Sequence, residues 1–204
     1  MSRDTKVRNG GHILVEALRR NSVDTVYCVP GESYLPVLDA LRDVESIRTI
    51  VTRHEGAASN MADAFGKLTG RPGICFATRG PGATHAANGV HTAKQDSTPM
   101  ILFVGQVERA FIGREAFQEV DYRQTFGDLA KWVTEIDSIE RIPEIVSRAF
   151  AVALSGRPGP VVIGLPEDVL FGEAEVPDMP AVKVPQAMPE ASSVGALCLS
   201  LIHI

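Results

Sequence analysis

Short apolar blocks alternate with amphipathic stretches of helical period from about residue 11 to residue 165. Residues 11–20, GHILVEALRR, bring Ile13, Leu14, Ala17 and Leu18 to one side at helical spacing, which predicts a helix. A strand at 25–29 follows, closed by the turn residues Pro30 and Gly31. A second helix is predicted over 34–41, with Leu35, Leu38 and Leu41 on one side and Pro36 in its first turn. The same alternation continues. A strand at 47–52 runs into a helix headed by Glu55, a strand at 73–78 into a helix reaching about residue 97, and a strand at 100–105 into a longer loop. Beyond a mixed segment at 117–126 come a strand at 132–136, a helix at 142–154 and a strand at 160–165. Strands alternating with helices of this length predict βαβ units, hence an α/β, doubly wound, mostly parallel six-stranded sheet with helices on both faces, filling residues 1–172.

The pattern then fails. Residues 177–189, PDMPAVKVPQAMP, hold four prolines and can extend neither a helix nor a sheet interior, so residues 173–190 are expected to be a Pro-rich linker. A second domain should follow, yet only residues 191–204 remain, and these are expected to be a truncated or non-native tail. Its last six residues, LSLIHI, translate the string CTG TCT CTT ATA CAC ATC, which matches a transposase adapter used in sequencing libraries.

Composition narrows the classes. With 204 residues, 45% hydrophobic and 22% charged, the chain is ordinary for a soluble globular protein with a real core. A net charge of -5, a pI near 5.5 and no Lys/Arg run give no general attraction to nucleic acid or anionic membranes. The polar start MSRDTKVRNGG has no apolar signal region, and no apolar run approaches a membrane span. Cys28, Cys75 and Cys198 are odd in number and widely spaced, so reduced thiols are expected, as suits a cytoplasmic location.

Candidate chemistry sits at one rim. Each strand ends in an unusual loop: Pro30-Gly31, Glu55, Gly80-Pro81-Gly82 and Gln106. Open α/β sheets place ligands beyond the carboxyl ends of their strands. A rim of glycines and prolines with one carboxylate suits a flat, largely neutral ligand approached closely by backbone. A phosphate cradle at RGPGAT competes, but there is no GxxxxGKS pattern and Pro81 removes a donor. Taken alone, Glu55 has a plainer explanation, because an acid in a helix's first turn often only complements the macrodipole.

Four segments in order, HEGAASNMADAFGKLTGRPG, TRGPGATHAANGVHTAKQDSTPMILFVGQV, REAFQEVDY and SGRPGPVVIGLPEDV, resemble the N-terminal pyrimidine-binding domain of thiamin-diphosphate-dependent enzymes. The likeness is to the acetolactate synthase large subunits and covers roughly residues 10–170. The resemblance implies that Glu55 bonds to N1′ of the cofactor's aminopyrimidine ring. It also implies that Pro30, Gly31, Pro81 and Gly82 lie against the cofactor and that Gln118, beside Phe117, lines the active site. Without its motif, Gln118 would read as an exposed loop residue. The implied whole is a decarboxylase and carboligase of 2-oxo acids, with thiamin diphosphate and Mg2+ and with FAD as an optional further cofactor. It would be a homo-oligomer whose pyrimidine domain faces a neighbouring subunit's diphosphate domain. Alternatives are another thiamin-diphosphate lyase or transferase, such as a sulfoacetaldehyde acetyltransferase-like enzyme or a 2-oxo-acid decarboxylase, or a non-catalytic interaction domain of the same fold.

No metal ligands are expected in these residues, since the family's GDG with a following Asn, which holds the diphosphate and Mg2+, does not occur in them. By resemblance this part alone is expected to be inactive. The sequence also departs from the synthases, with Glu32-Ser33 for a usual glycine, Arg79 for a serine and His85 for an asparagine. These changes are expected to add charge and bulk near the crevice, with His85 beside the cofactor as either a proton-transfer group or a packing residue.

Overall fold

The computed structural model describes residues 6–185 and 188–202. In chain order the elements are β1 (Val7–Asn9), α1 (Gly10–Arg20), β2 (Thr25–Cys28), α2 (Leu35–Arg42), β3 (Arg48–Val51), α3 (Glu55–Thr69), β4 (Gly73–Ala77), α4 (Pro81–Gln95), β5 (Met100–Gln106), α5 (Tyr122–Phe126), β6 (Trp132–Glu135), α6 (Ile142–Leu154), β7 (Pro160–Pro166), α7 (Glu167–Phe171), β8 (Glu173–Glu175) and α8 (Ala191–Ile202). Six strands form one parallel sheet in the order β3-β2-β4-β5-β7-β6. This is the doubly wound α/β architecture the apolar alternation predicts.

The central strands are apolar on both faces because both faces are covered. On β4, Ile74 and Phe76 enter one core with α1, α2 and α6, while Cys75 and Ala77 enter the other with α3 and α4. On β5, Ile101 and Phe103 join the first core, and Met100, Leu102 and Val104 the second. Period-two alternation therefore feeds two cores from one strand.

The helices pack through small residues. A Cβ on Gly89 of α4 would lie 2.6 Å from the backbone carbon of Ser59 on α3, and one on Gly73 would lie 1.9 Å from the Ala62 carbonyl oxygen. The face of α2 differs from the one predicted. Pro36, Val37, Ala40 and Leu41 are buried, whereas Leu35 is 50% exposed and Leu38 half-buried. Close approach to α1, where a Cβ on Gly11 would meet the Pro36 carbonyl at 2.3 Å, turns the helix so that the Pro36 edge faces inward.

The fold also runs past residue 172, where the sequence puts its boundary. β8 pairs antiparallel with β1 in a separate two-stranded sheet, Val7 opposite Glu175 and Asn9 opposite Glu173. The proline-containing stretch after it is extended but fastened to the domain. Val176 is buried, Asp178 bonds to Arg8 at 2.8 Å and Arg20 at 3.0 Å, and the Val182 N–H donates to Asn21 Oδ1 at 3.0 Å. The linker reading extends to Gln186 and Ala187, which lie outside the described residues, as do His203 and Ile204 of the tail. The rest of the tail is α8, which buries no residue. No helix among the described residues is long and apolar enough to cross a membrane.

Candidate functional site

After β2 the chain turns outward to β3, and β4 then pairs on the other flank of β2, so the connections diverge above the carboxyl ends of β2 and β4. A crevice at such a switch point is where open α/β sheets hold ligands. Three loops enter it: Val29-Pro30-Gly31 after β2, Thr52 to His54 after β3, and Thr78-Arg79-Gly80 after β4.

The glycines are there because the Thr78 side chain leaves no room for another. A Cβ on Gly31 would lie 2.5 Å from Thr78 Cβ, and one on Gly82 would lie 2.8 Å from Thr78 Cγ2 and 3.3 Å from Glu55 Oε1. Gly80 has φ +62° and sits against Gln118, whose own φ is also +62°. Thus Gly31, Glu55, Gly82 and Gln118, dispersed in sequence, meet around Thr78 and Gly80. Pro30 and Pro81 face outward on the same turns, Pro81 opening α4.

Glu55 is the first residue of α3. The helix is capped by His54, whose Nδ1 accepts the Gly56 N–H at 3.0 Å, and its N-terminus favours a negative charge. Macrodipole complementation needs no burial, yet the Glu55 side chain is only 12% exposed. Its Oε2 lies 3.0 Å from His85 Nδ1, while Oε1 lies beside Gly82 with no side-chain partner among the described residues. A carboxylate drawn out of water with one oxygen uncommitted, facing a glycine-walled crevice, can accept a proton shared with a flat ring nitrogen. These residues therefore fit an aminopyrimidine.

His54 and His85 stack, with ring centroids 4.7 Å apart and planes at 24°. With Glu55 they offer ligand atoms within 4.8 Å of one another, the spacing of a candidate metal centre. The hydrogen bonds argue against that use. By accepting the Gly56 N–H, His54 Nδ1 has committed its lone pair, and His85 Nδ1 is engaged by the carboxylate at 3.0 Å. Among the described residues of this cluster only His85 Nε2 and Glu55 Oε1 keep free lone pairs, one short of a three-residue ligand set.

The departures Glu32, Ser33 and Arg79 turn out to be partners. Arg79, 8% exposed, donates from Nη1 to Glu167 Oε1 at 2.6 Å, from Nη2 to Glu32 Oε1 at 3.3 Å and from Nε to the Phe117 carbonyl at 3.2 Å. Its backbone N–H donates to Ser33 Oγ at 3.2 Å, and Ser33 Oγ shares a hydrogen bond with Thr78 Oγ1 at 2.7 Å. The charge expected to burden the crevice is matched, and one guanidinium ties the β2 turn, the β4 turn and the Phe117-Gln118 loop to the start of α7. Sequence reasoning missed Glu167 because 88 residues separate it from Arg79.

Gln106 serves as a clip and not as a rim ligand. It is buried at the end of β5, donating to the Val120 carbonyl at 2.9 Å and Glu135 Oε1 at 3.0 Å, and accepting the Val107 N–H at 2.9 Å. Asp96 ends α4 and pairs with Lys67 at 2.7 Å. Asp168 lies in the first turn of α7 and accepts from Arg109 Nε at 2.6 Å. Below the crevice Cys28 and Cys75 are free and buried, and burial pushes both thiols above their usual range.

Residues 8–125 match the family described as thiamine pyrophosphate enzyme, N-terminal TPP binding domain. The chain is 41% identical over 205 residues to the acetolactate synthase large subunit of Parasynechococcus marenigrum, covering 96% of the chain and 33% of that protein. It is 42% identical over 171 residues to the probable acetolactate synthase large subunit of Methanocaldococcus jannaschii, covering 84% and 29%. Against the acetolactate synthase isozyme 2 large subunit of Escherichia coli it is 40% identical over 168 residues, covering 82% and 30%. The chain thus spans about a third of the length of these relatives. Its parallel sheet, its switch-point crevice and the buried Glu55 agree with the match, and the chain belongs to the thiamine pyrophosphate enzymes, through their N-terminal TPP binding domain.

Proposed function

We propose that these residues form the N-terminal cofactor-binding portion of an acetolactate synthase-like carboligase and decarboxylase acting on 2-oxo acids. The observation that carries the reading is the burial of Glu55 with Oε1 free beside Gly82. Thiamin diphosphate, when bound, supplies the electron sink that a 2-oxo acid needs in order to lose CO2. Glu55 holds or shares a proton at Oε1 with the aminopyrimidine N1′. Gly31 and Gly82 let the rim turns close on Thr78 beside the carboxylate, Pro30 and Pro81 stiffen those turns, and His85 holds the other carboxylate oxygen. Gln118, held against Gly80, is the residue of this chain that would line the substrate side.

The diphosphate, its Mg2+ and any FAD would be held by residues outside this sequence, in a homo-oligomer where a neighbouring subunit closes the crevice. The relatives' names support acetolactate formation. A second reading, a different thiamin-diphosphate lyase or transferase, is favoured by the Arg79 cluster and by His85, which make this rim unlike the synthase pattern. Incubating the longer protein with thiamin diphosphate, Mg2+ and pyruvate separates the two. The first reading expects CO2 release with acetolactate as product. CO2 release with acetaldehyde or another acceptor adduct supports the second; no turnover of any 2-oxo acid would overturn the first, and no turnover of sulfoacetaldehyde either would overturn the second. The 204-residue chain alone is expected to show no Mg2+-dependent binding of thiamin diphosphate by calorimetry, and tight binding would contradict the assignment of the diphosphate anchor elsewhere.

A further inference from the structure

Glu55 has two oxygens and they are not equivalent. Oε2 is held at 3.0 Å by His85 Nδ1, and Oε1 is left beside Gly82. His85 itself is 50% exposed in its side chain, so one imidazole touches both the buried carboxylate and solvent. Its ring orientation is fixed by the stack on His54, whose own ring is pinned by the Gly56 N–H. Among the described residues the titratable groups that face His85 are Glu55, from the start of α3, and His54, from the turn before it. Farther along the α3–α4 contact the next polar pair, Asn60 of α3 with Asn88 of α4 at 3.3 Å, is uncharged.

We propose that His85 is a positioning residue that divides the Glu55 carboxylate, committing Oε2 so that Oε1 alone faces the cofactor, and that its ring exchanges protons between this carboxylate and water. The inference rests on the reading of Glu55 as the partner of the aminopyrimidine and extends it to the residue behind. The chemistry follows from the two ring nitrogens. With Nδ1–H donating to an ionised Glu55, Nε2 is free to take a proton from solvent; when Nε2 is protonated, Nδ1 can pass its proton to Oε2 and the ring returns to neutral. Proton count is conserved, and no group beyond water is needed. An asparagine at this position places an amide nitrogen where Nδ1 stands, so it could hold Oε2 in the same way but could not carry a proton.

Two measurements test this. In the 204-residue chain without cofactor, long-range 1H–15N correlation spectra at a pH of about 8.5, above the ordinary histidine range, should show neutral His85 protonated on Nδ1. Glu55→Ala should return it to the Nε2–H tautomer that free histidine favours. In the longer, loaded protein, His85→Ala should slow exchange of the cofactor's C2 proton about tenfold, the scale of one lost hydrogen bond to a charged group. His85→Asn should restore the rate to within about twofold while removing the pH dependence that the imidazole gives the wild type, as expected when a positioning bond survives without a titrating ring. An Nε2–H tautomer in the wild-type chain, indifferent to Glu55, would overturn the proposal and leave the reading of Glu55 intact. So would exchange in His85→Ala equal to wild type. Should Glu55→Gln itself leave exchange unchanged, it is the reading of Glu55 that fails.

Discussion

Two charged side chains, Glu55 and Arg79, are withdrawn from water within one rim, and their partners differ. Arg79 spends its guanidinium on two carboxylates and a carbonyl, whereas Glu55 meets one imidazole and leaves an oxygen open. A fully matched charge is structural and an incompletely matched one is available for chemistry. Arg79→Met should therefore destabilise the protein by about 2 kcal/mol, below the 3–5 kcal/mol typical of breaking a fully buried pair because Glu32 is largely exposed. Urea unfolding reads this, and adding Glu167→Gln should recover part of the loss. A single variant as stable as wild type would remove the clasp from this account. Glu55 was legible in the sequence because a strand end, a helix start and a carboxylate coincide there. The Arg79 cluster was not, since nothing local marks Glu167 or the Phe117 carbonyl as its partners.

Helix packing decides how close the rim's pieces come. α3 and α4 approach through Gly89 and Ser59, so Gly89→Ala puts a methyl within 2.6 Å of backbone. Overpacking of this kind costs about 1–3 kcal/mol, against up to about 1 kcal/mol gained in helix propensity. A net loss of about 1–2 kcal/mol should lower Tm by about 2–8 °C, and an unchanged or raised Tm in calorimetry would show that the helices have room. Periodicity predicted α1, α6 and the central strands well because their apolar faces are determined by their own sequence. It misjudged α2, where the fit of Pro36 against Gly11 outweighs the leucine stripe and leaves Leu35 exposed. β1 and β8 were invisible for another reason: three-residue strands, 160 and more positions apart, carry no period of their own.

Across the whole molecule, one sheet fed from two sides accounts for both the core and the crevice. The six strands followed from the alternation of apolar blocks, but which strands neighbour which, and with it the switch between β2 and β4, did not, because register and order are set by packing across the sheet. Burial also separates the thiols. Cys28 and Cys75 lie inside, with their thiols pushed up, and Cys198 is exposed on α8. The native chain should thus give one fast-reacting thiol with an aromatic disulfide reagent and all three after denaturation. A second fast thiol in the native state would mean that β2 or β4 is more open than the sheet described above.

All of this converges on the proton shared at Glu55 Oε1, and the most direct measurement is the exchange rate of the cofactor's C2 proton, followed by quenched-flow proton NMR in the longer protein with wild-type and Glu55→Gln sequences. A loss of general acid–base action of this kind lowers rates by about 10²–10⁴-fold. The account predicts a slowing of that order in a variant that stays folded and binds cofactor. Exchange as fast as in the wild type would contradict it.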